Sequence, residues 1–292
     1  MKFCAFTSGA IFALVCFGSV SVRGETFILK DGRTVTAKSL RRQGDTIMAT
    51  VETASSDPSQ APQTGELGYP VAQIQRIEFP EPGQLRNAAE LIIRGKNAEA
   101  LVQLDPVMRY YQGIRDIPGS WWADTAMLQI RAMVGQGRTH DADALIDDFS
   151  RLAVQPETVI AAKAFAADSA ARHGDAARAL DLSQAVVKEG TRPDALAVAY
   201  IAAGESHLAR KEWEPALLAF LEVPVFYPEE KLWLPPALLG SAQAYREMEE
   251  FTHAKETLDN LVAAYADSPE ALQAKTEREK LAKAERLAAL KK

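Results

Sequence analysis

Five alanines, Ala100, Ala142, Ala179, Ala216 and Ala254, recur at spacings of 42, 37, 37 and 38 residues. A unit that recurs at this length must pack against its own copies, which narrows the possible folds more than composition does. Four residues after the anchors stand Leu104, Ile146, Ser183, Phe220 and Leu258; seven after them stand Val107, Phe149, Val186, Val223 and Leu261. Offsets of 0, 4 and 7 fall on one face of an α-helix, so each segment carries a strip to bury. Twelve residues before the anchors come Ala88, Ile130, Ala167, Gly204 and Ala242, and nine before come Leu91, Met133, Ala170, His207 and Tyr245. The first of these columns is mostly small, which lets two helix backbones approach closely. His207 stands in a column that predicts core packing. Breaker or polar pairs separate the stripes: Gly95-Lys96, Gly137-Arg138, Gly174-Asp175, Lys211-Glu212 and Glu249-Glu250. Each unit is therefore predicted to be a helix, a short turn and an antiparallel helix.

The clearest unit runs from Tyr200 through Gly204, Trp213, Ala216 and Phe220 to Pro228, and the next carries Ala242, Tyr245, Phe251, Ala254, Leu258 and Pro269. These positions resemble the tetratricopeptide repeat, a helix-turn-helix unit with small residues in both helices and a proline after the second. The likeness spans about residues 84–281, with units longer than the family's 34 residues and no closing proline in the first two. By layout it is similar to the exported bacterial envelope members of that family. The resemblance implies a curved helical array that binds an extended or helical segment of another protein. In such an array the first helix of each pair lines the inner face. Alignment of the units directs Met127, Arg131, Asp168, Arg172, Ile201, Glu205, Gln243 and Arg246 toward that face. Those eight are the expected partner-binding residues.

Ahead of the repeats, residues 1–24 carry one Lys, a long apolar run and small residues before Glu25. This is the layout of a secretory signal peptide, and an uncleaved form would serve as a membrane anchor. Both cysteines, Cys4 and Cys16, lie in it. Without the leader the chain has 31 basic and 39 acidic residues, a net charge of −8, which disfavours nucleic acid as a partner. From Glu25 to Phe79 the pattern alternates as strands do, with turn signals at Asp31-Gly32 and Gly44-Asp45. Four or five short strands resemble the SH3-like and Sm-like small barrels. The stretch from Ala54 to Gly65 is rich in Ser, Pro, Gln and Thr and reads as a mobile loop.

The expected fold class is α+β multidomain, a small N-terminal β-barrel followed by an all-α solenoid of tetratricopeptide-like hairpins. The expected partition is a leader at 1–24, a barrel at 25–80, a hinge at 81–83, about five hairpins at 84–267 and a capping helix at 268–292. That last helix shows only a sparse apolar face, Leu272, Leu281, Leu287 and Leu290.

Catalytic patterns are missing from the sequence. His140, His173, His207 and His253 are scattered one to a repeat, without the three- or four-residue spacing of ligand pairs on a helix. Asp141, Asp143, Asp147 and Asp148 divide between opposite helix faces and read as solvated surface. Gly135-Gln136-Gly137-Arg138 lacks the following Lys-Ser/Thr of a phosphate loop, and no Gly-x-Ser-x-Gly elbow occurs. No cofactor, metal or catalytic residue is therefore expected. Two aromatic groups remain, Tyr110-Tyr111 with Trp121-Trp122, and Phe226-Tyr227 with Trp233. The first flanks the long connection 112–120, where the spacing swells to 42, and either seals a junction or forms a peptide pocket.

The chain thus reads as an exported, non-enzymatic scaffold of the bacterial envelope that holds another envelope protein or a peptide segment. The alternative is a cell-wall or glycan-binding module that uses the β segment, with the helices as spacer.

Overall fold

The computed structural model describes residues 25–53 and 63–290. The leader and most of the expected mobile loop lie outside the described residues. The strands are β1 (Glu25–Leu29), β2 (Thr34–Ala37), β3 (Ser39–Gln43), β4 (Thr46–Thr53), β5 (Gln63–Pro70) and β6 (Ile74–Glu78). Gly32, at φ +86°, turns β1 into β2, and Gly44, at φ +60°, turns β3 into β4.

Among the described residues the expected small barrel is not closed. The described strands make two three-stranded antiparallel sheets, ordered β2-β1-β6 and β3-β4-β5. The chain crosses from one sheet to the other at Lys38, whose N–H donates to the Thr50 carbonyl at 2.7 Å. Edge protection comes from docking in place of closure, because the Ile77 N–H on β6 donates to the Pro118 carbonyl at 2.8 Å. Strand β5, polar and glycine-containing, exists through its eight-residue register with β4, from Thr46↔Pro70 to Thr53↔Gln63.

Eleven helices follow among the described residues: α1 (Gly83–Ile93), α2 (Asn97–Tyr111), α3 (Trp122–Gly135), α4 (Thr139–Leu152), α5 (Pro156–Arg172), α6 (Ala176–Glu189), α7 (Pro193–Ala209), α8 (Trp213–Phe226), α9 (Leu234–Glu247), α10 (Phe251–Ala264) and α11 (Pro269–Leu290). The first ten form five successive hairpins, and all five anchor alanines are fully buried in the second helices. One backbone motif closes every first helix. The N–H groups of Lys96, Arg138, Asp175, Glu212 and Glu250 donate to the carbonyls of Leu91, Met133, Ala170, His207 and Tyr245, each at 2.8–2.9 Å. The residue before each donor is left-handed, as this C-terminal cap requires: Gly95, Gly137, Gly174, Lys211 and Glu249, at φ 62–79°.

The long connection 112–120 docks the β segment onto the helices. Arg42 reaches it through Asp116 at 2.6 Å and the Gly113 carbonyl at 3.3 Å, and Trp121 Nε1 donates to the Phe79 carbonyl at 3.2 Å. Tyr110 donates to the Glu25 carboxylate, Tyr111 packs on Phe79 at 6.2 Å between ring centroids, and Trp122 is buried against Phe149. Gly119 allows the approach, since a Cβ there would stand 2.1 Å from the Ile77 carbonyl oxygen. One apolar core consequently runs from Phe27 through Ala244, across the turn at 80–82.

The array curves until the start of its last helix meets the turn of its first hairpin. Helix α11 takes the place of a sixth first helix, packed on α9 and α10. Its start reaches the α1–α2 turn, where the Pro269 ring lies 3.2 Å from the position a Gly95 Cβ would take. Its buried face is Glu270, Ala271, Ala274, Glu277, Leu281 and Ala288, while Leu272 is 61% exposed. The expected leucine face is therefore mostly turned outward; small residues match the close-packed column of the other first helices, and the two glutamates are met by arginines. Among the described residues no helix is long and apolar enough to cross a membrane.

Candidate interaction face

First helices α1, α3, α5, α7, α9 and α11 supply the inner face. Of the eight expected residues, Met127 and Ile201 are buried, six are polar, and four of those six are tied into ion pairs within the chain. Arg131 donates to Glu270 at 2.7 Å and stacks over the Trp233 ring at 5.5 Å. Arg246 is held by Glu277 of α11 and by Glu247. Arg172 pairs with Asp168 at 3.0 Å and Asp143 at 3.3 Å. Buried glutamates and partly buried arginines of this kind hold the array in one curvature, since removing either partner strands the other charge in low dielectric.

Glu205 and Gln243 remain, and a cleft of about 250 Å3 joins them with Arg131, Leu239, Glu270 and Gln273. Glu205 is an exposed residue at the mouth of this cleft, and its carboxyl lies near the Asp168, Arg131 and Arg172 charges. Desolvation pushes its pKa up to about 7, helped by the Asp168 carboxylate and opposed by Arg131 and Arg172. Asp168, Arg172, Ile201 and Arg246 do not line the cleft.

Asp143 does not stand on a solvated face. It accepts from Ser169 at 2.7 Å, is bonded to His173 Nε2 at 2.7 Å, and pairs with Arg172, which together outweigh its desolvation and lower its pKa. Ser169 and His173 thus bind the same carboxylate, not each other, and form no nucleophile and base pair. His207 is half-buried at the end of α7, bonded to Glu212 at 2.6 Å instead of packed in the core.

A larger opening, about 410 Å3, lies between α1, α3 and the α8–α9 connection. Its apolar wall comes from Leu85, Ile93, Leu128 and Leu232, and Trp121 and Trp233 also line it. Its rim carries Glu81, Glu90, Asp124, Asp194, Glu229 and Glu230 against Arg86 and Lys231. Arg192, at the start of α7, donates to Asp124 at 2.9 Å and to Asp194 at 2.6 Å, fixing α7 to α3. Burial works against the Arg192 charge, but these carboxylates outweigh it and raise its pKa. Desolvation raises the pKa of Glu230, with Asp194 and Glu229 adding to the effect.

No family model matches the chain, and no curated protein matches it either. Among solved structures, one from Podosopora anserina described as kinesin light chain nearly identical TPR-like repeats is similar at 16% identity, covering 67% of this chain and 96% of that one, with a TM-score of 0.37. A single-substitution variant of the same repeat protein gives 18% identity, 69% and 100% coverage, and a TM-score of 0.37.

Of the eight expected residues only Met127 lines the larger opening. Sequence reading missed Asp124, Arg192, Asp194, Glu229 and Glu230. The available signal was Arg192-Pro193-Asp194 at the start of a first helix, where an acid in the first turn complements the helix dipole. Trp121 and Trp233, noticed separately in sequence, face one cavity because the array curves.

Proposed function

We propose that this chain is a non-catalytic scaffold of the bacterial cell envelope that holds a segment of a partner protein on the inner face of its helical array. The observation that carries this reading is the open volume between α1, α3 and the α8–α9 connection, on a face whose neighbouring arginines are otherwise paired internally. Preformed concave sites of mixed apolar and polar lining are where proteins take ligands, and tryptophan is enriched where binding energy concentrates. The apolar leader supports export. The core shared by the β segment and the first hairpins supports a single body, with the sheets buttressing the end of the array.

The test is photo-crosslinking in cells that export the chain. A photoreactive residue at Glu90 or Gln243, both on the inner face, is expected to trap one defined protein, and the same residue at Leu218, 60% exposed on α8, is not. Trapping from Leu218 alone, or from none of the three, would overturn the reading.

A further inference from the structure

We infer that the cavity between α1, α3 and the α8–α9 connection takes a basic, apolar segment of the partner, one that presents Lys or Arg beside a bulky aliphatic or aromatic side chain. The inference rests on the scaffold reading above and names the chemistry of what the scaffold holds.

Three observations carry it. The volume, about 410 Å3, lies within the roughly 300–1,000 Å3 typical of ligand pockets. The wall is apolar and includes the partly exposed Trp121, so it rewards a large apolar side chain and can stack a cation, while Trp233 is buried beneath Arg131 and closes the floor. The rim is strongly unbalanced toward acid. Arg192 answers Asp124 and Asp194, and Arg86 answers Glu81 at 3.1 Å. Glu90, Glu229 and Glu230 face the same opening, with Lys231 as the remaining rim cation among the described residues. Glu90, Glu229 and Glu230 sit at one partly desolvated mouth, where burial first, then the Asp194 and Glu229 charges, against Arg192, disfavour the charged form of Glu230, and an incoming cation would favour it. An acidic segment would disfavour it further. Charge complementarity thus selects the sign of the partner and the apolar wall selects its body.

Titration calorimetry of the full chain with two capped dodecapeptides tests this. One alternates Leu and Trp with Arg and Lys; the other has Glu at every basic position. The expected result is saturable one-to-one binding of the basic peptide, weakened by added salt, and at least about tenfold weaker or no binding of the acidic one. The triple variant Glu90→Lys, Glu229→Lys, Glu230→Lys is expected to weaken the basic peptide about tenfold or more. Leu128→Glu is expected to do the same through the wall, and Glu256→Lys, on exposed α10 surface, to leave binding unchanged. Melting curves of each variant separate lost binding from lost fold. A tested variant that does not fold is replaced by its milder counterpart, Glu→Gln on the rim or Leu128→Ala on the wall.

Equal binding of both peptides, or binding indifferent to the rim and wall variants, overturns the inference. So does benzyltrimethylammonium binding as tightly as the peptide, which would make this a small-molecule site, or self-association through this face that the triple variant abolishes. If peptides fail to discriminate while inner-face crosslinks persist, the chemistry assigned to the cavity falls and the scaffold stands. If crosslinks fail while the basic peptide is selected, the reverse holds.

Discussion

Arg131 on α3 and Glu270 on α11, 139 residues apart in sequence, meet at 2.7 Å with both side chains largely buried. This pair ties the last helix of the array to its second hairpin. Arg131→Ala would strand a mostly buried carboxylate, and the expected loss is about 1–3 kcal/mol of unfolding free energy. The reversed pair, Arg131→Glu with Glu270→Arg, is expected to recover part of that loss. Urea denaturation of the two single variants and the double variant checks the coupling. Strict additivity would mean the two side chains do not interact.

Gly119 holds the β segment against the helices. Its φ of +86° and the 2.1 Å between a notional Cβ and the Ile77 carbonyl leave no room for a side chain. Gly119→Ala is expected to cost about 2 kcal/mol or more, by forcing β6 away from Pro118. Limited proteolysis should then cut faster between residues 80 and 83, while cleavage within α5–α8 stays slow.

Lys211 and Glu249 occupy the left-handed cap position that Gly95, Gly137 and Gly174 fill in the first three hairpins. A side chain there costs roughly 1–2 kcal/mol, part of which glycine returns in unfolded-state entropy. Lys211→Gly or Glu249→Gly is therefore expected to stabilise the chain by about 0.5–1 kcal/mol each. Gly137→Lys should lose a similar amount. Thermal melts of the three variants give the signs.

Glu205 makes stability depend on pH. Its folded-state pKa, about 7, lies above the ordinary carboxylate value, so the folded chain holds the extra proton between the two. Stability from this group is then greatest below the ordinary carboxylate range and is lost as pH rises toward 7. Desolvation sets the shift, the Asp168 charge adds to it, and Arg131 and Arg172 oppose it. Glu205→Gln removes the dependence, so the variant is expected to gain on the native chain as pH rises from 5 to 8. The difference in urea midpoint across that range is the measurement, and a constant difference would refute the assignment.

The hairpins were legible because burial at offsets 0, 4 and 7 is a local property of a helix, and Ala100, Ala142 and their successors declare it. The equivalence of Lys211 with Gly95 was hidden, since it resides in a backbone angle and not in a residue type. Strand β5 was illegible because Gly65, Glu66 and Gly68 carry no strand preference and depend on β4 for their ladder. For the inner face, sequence named residues on the correct helices but not their engagements. Arg131 and Arg246 are answered by Glu270 and Glu277, which share no repeat with them. The acid-rimmed cavity was out of reach for the same reason: only curvature brings Glu90 and Glu230 to one mouth.

That curvature is tested most directly by bridging the ends of the array. With Cys4 and Cys16 replaced by Ser, the variant Lys96→Cys, Asp267→Cys places thiols on the turn before α2 and just ahead of α11, on either side of the Gly95 and Pro269 contact. A short bis-maleimide is expected to bridge them within the folded monomer, and Glu270→Ala should reduce the yield. Absence of the bridge, while the same reagent joins paired cysteines within one hairpin, would contradict the contact between the ends of the array and with it the curvature on which the functional reading depends.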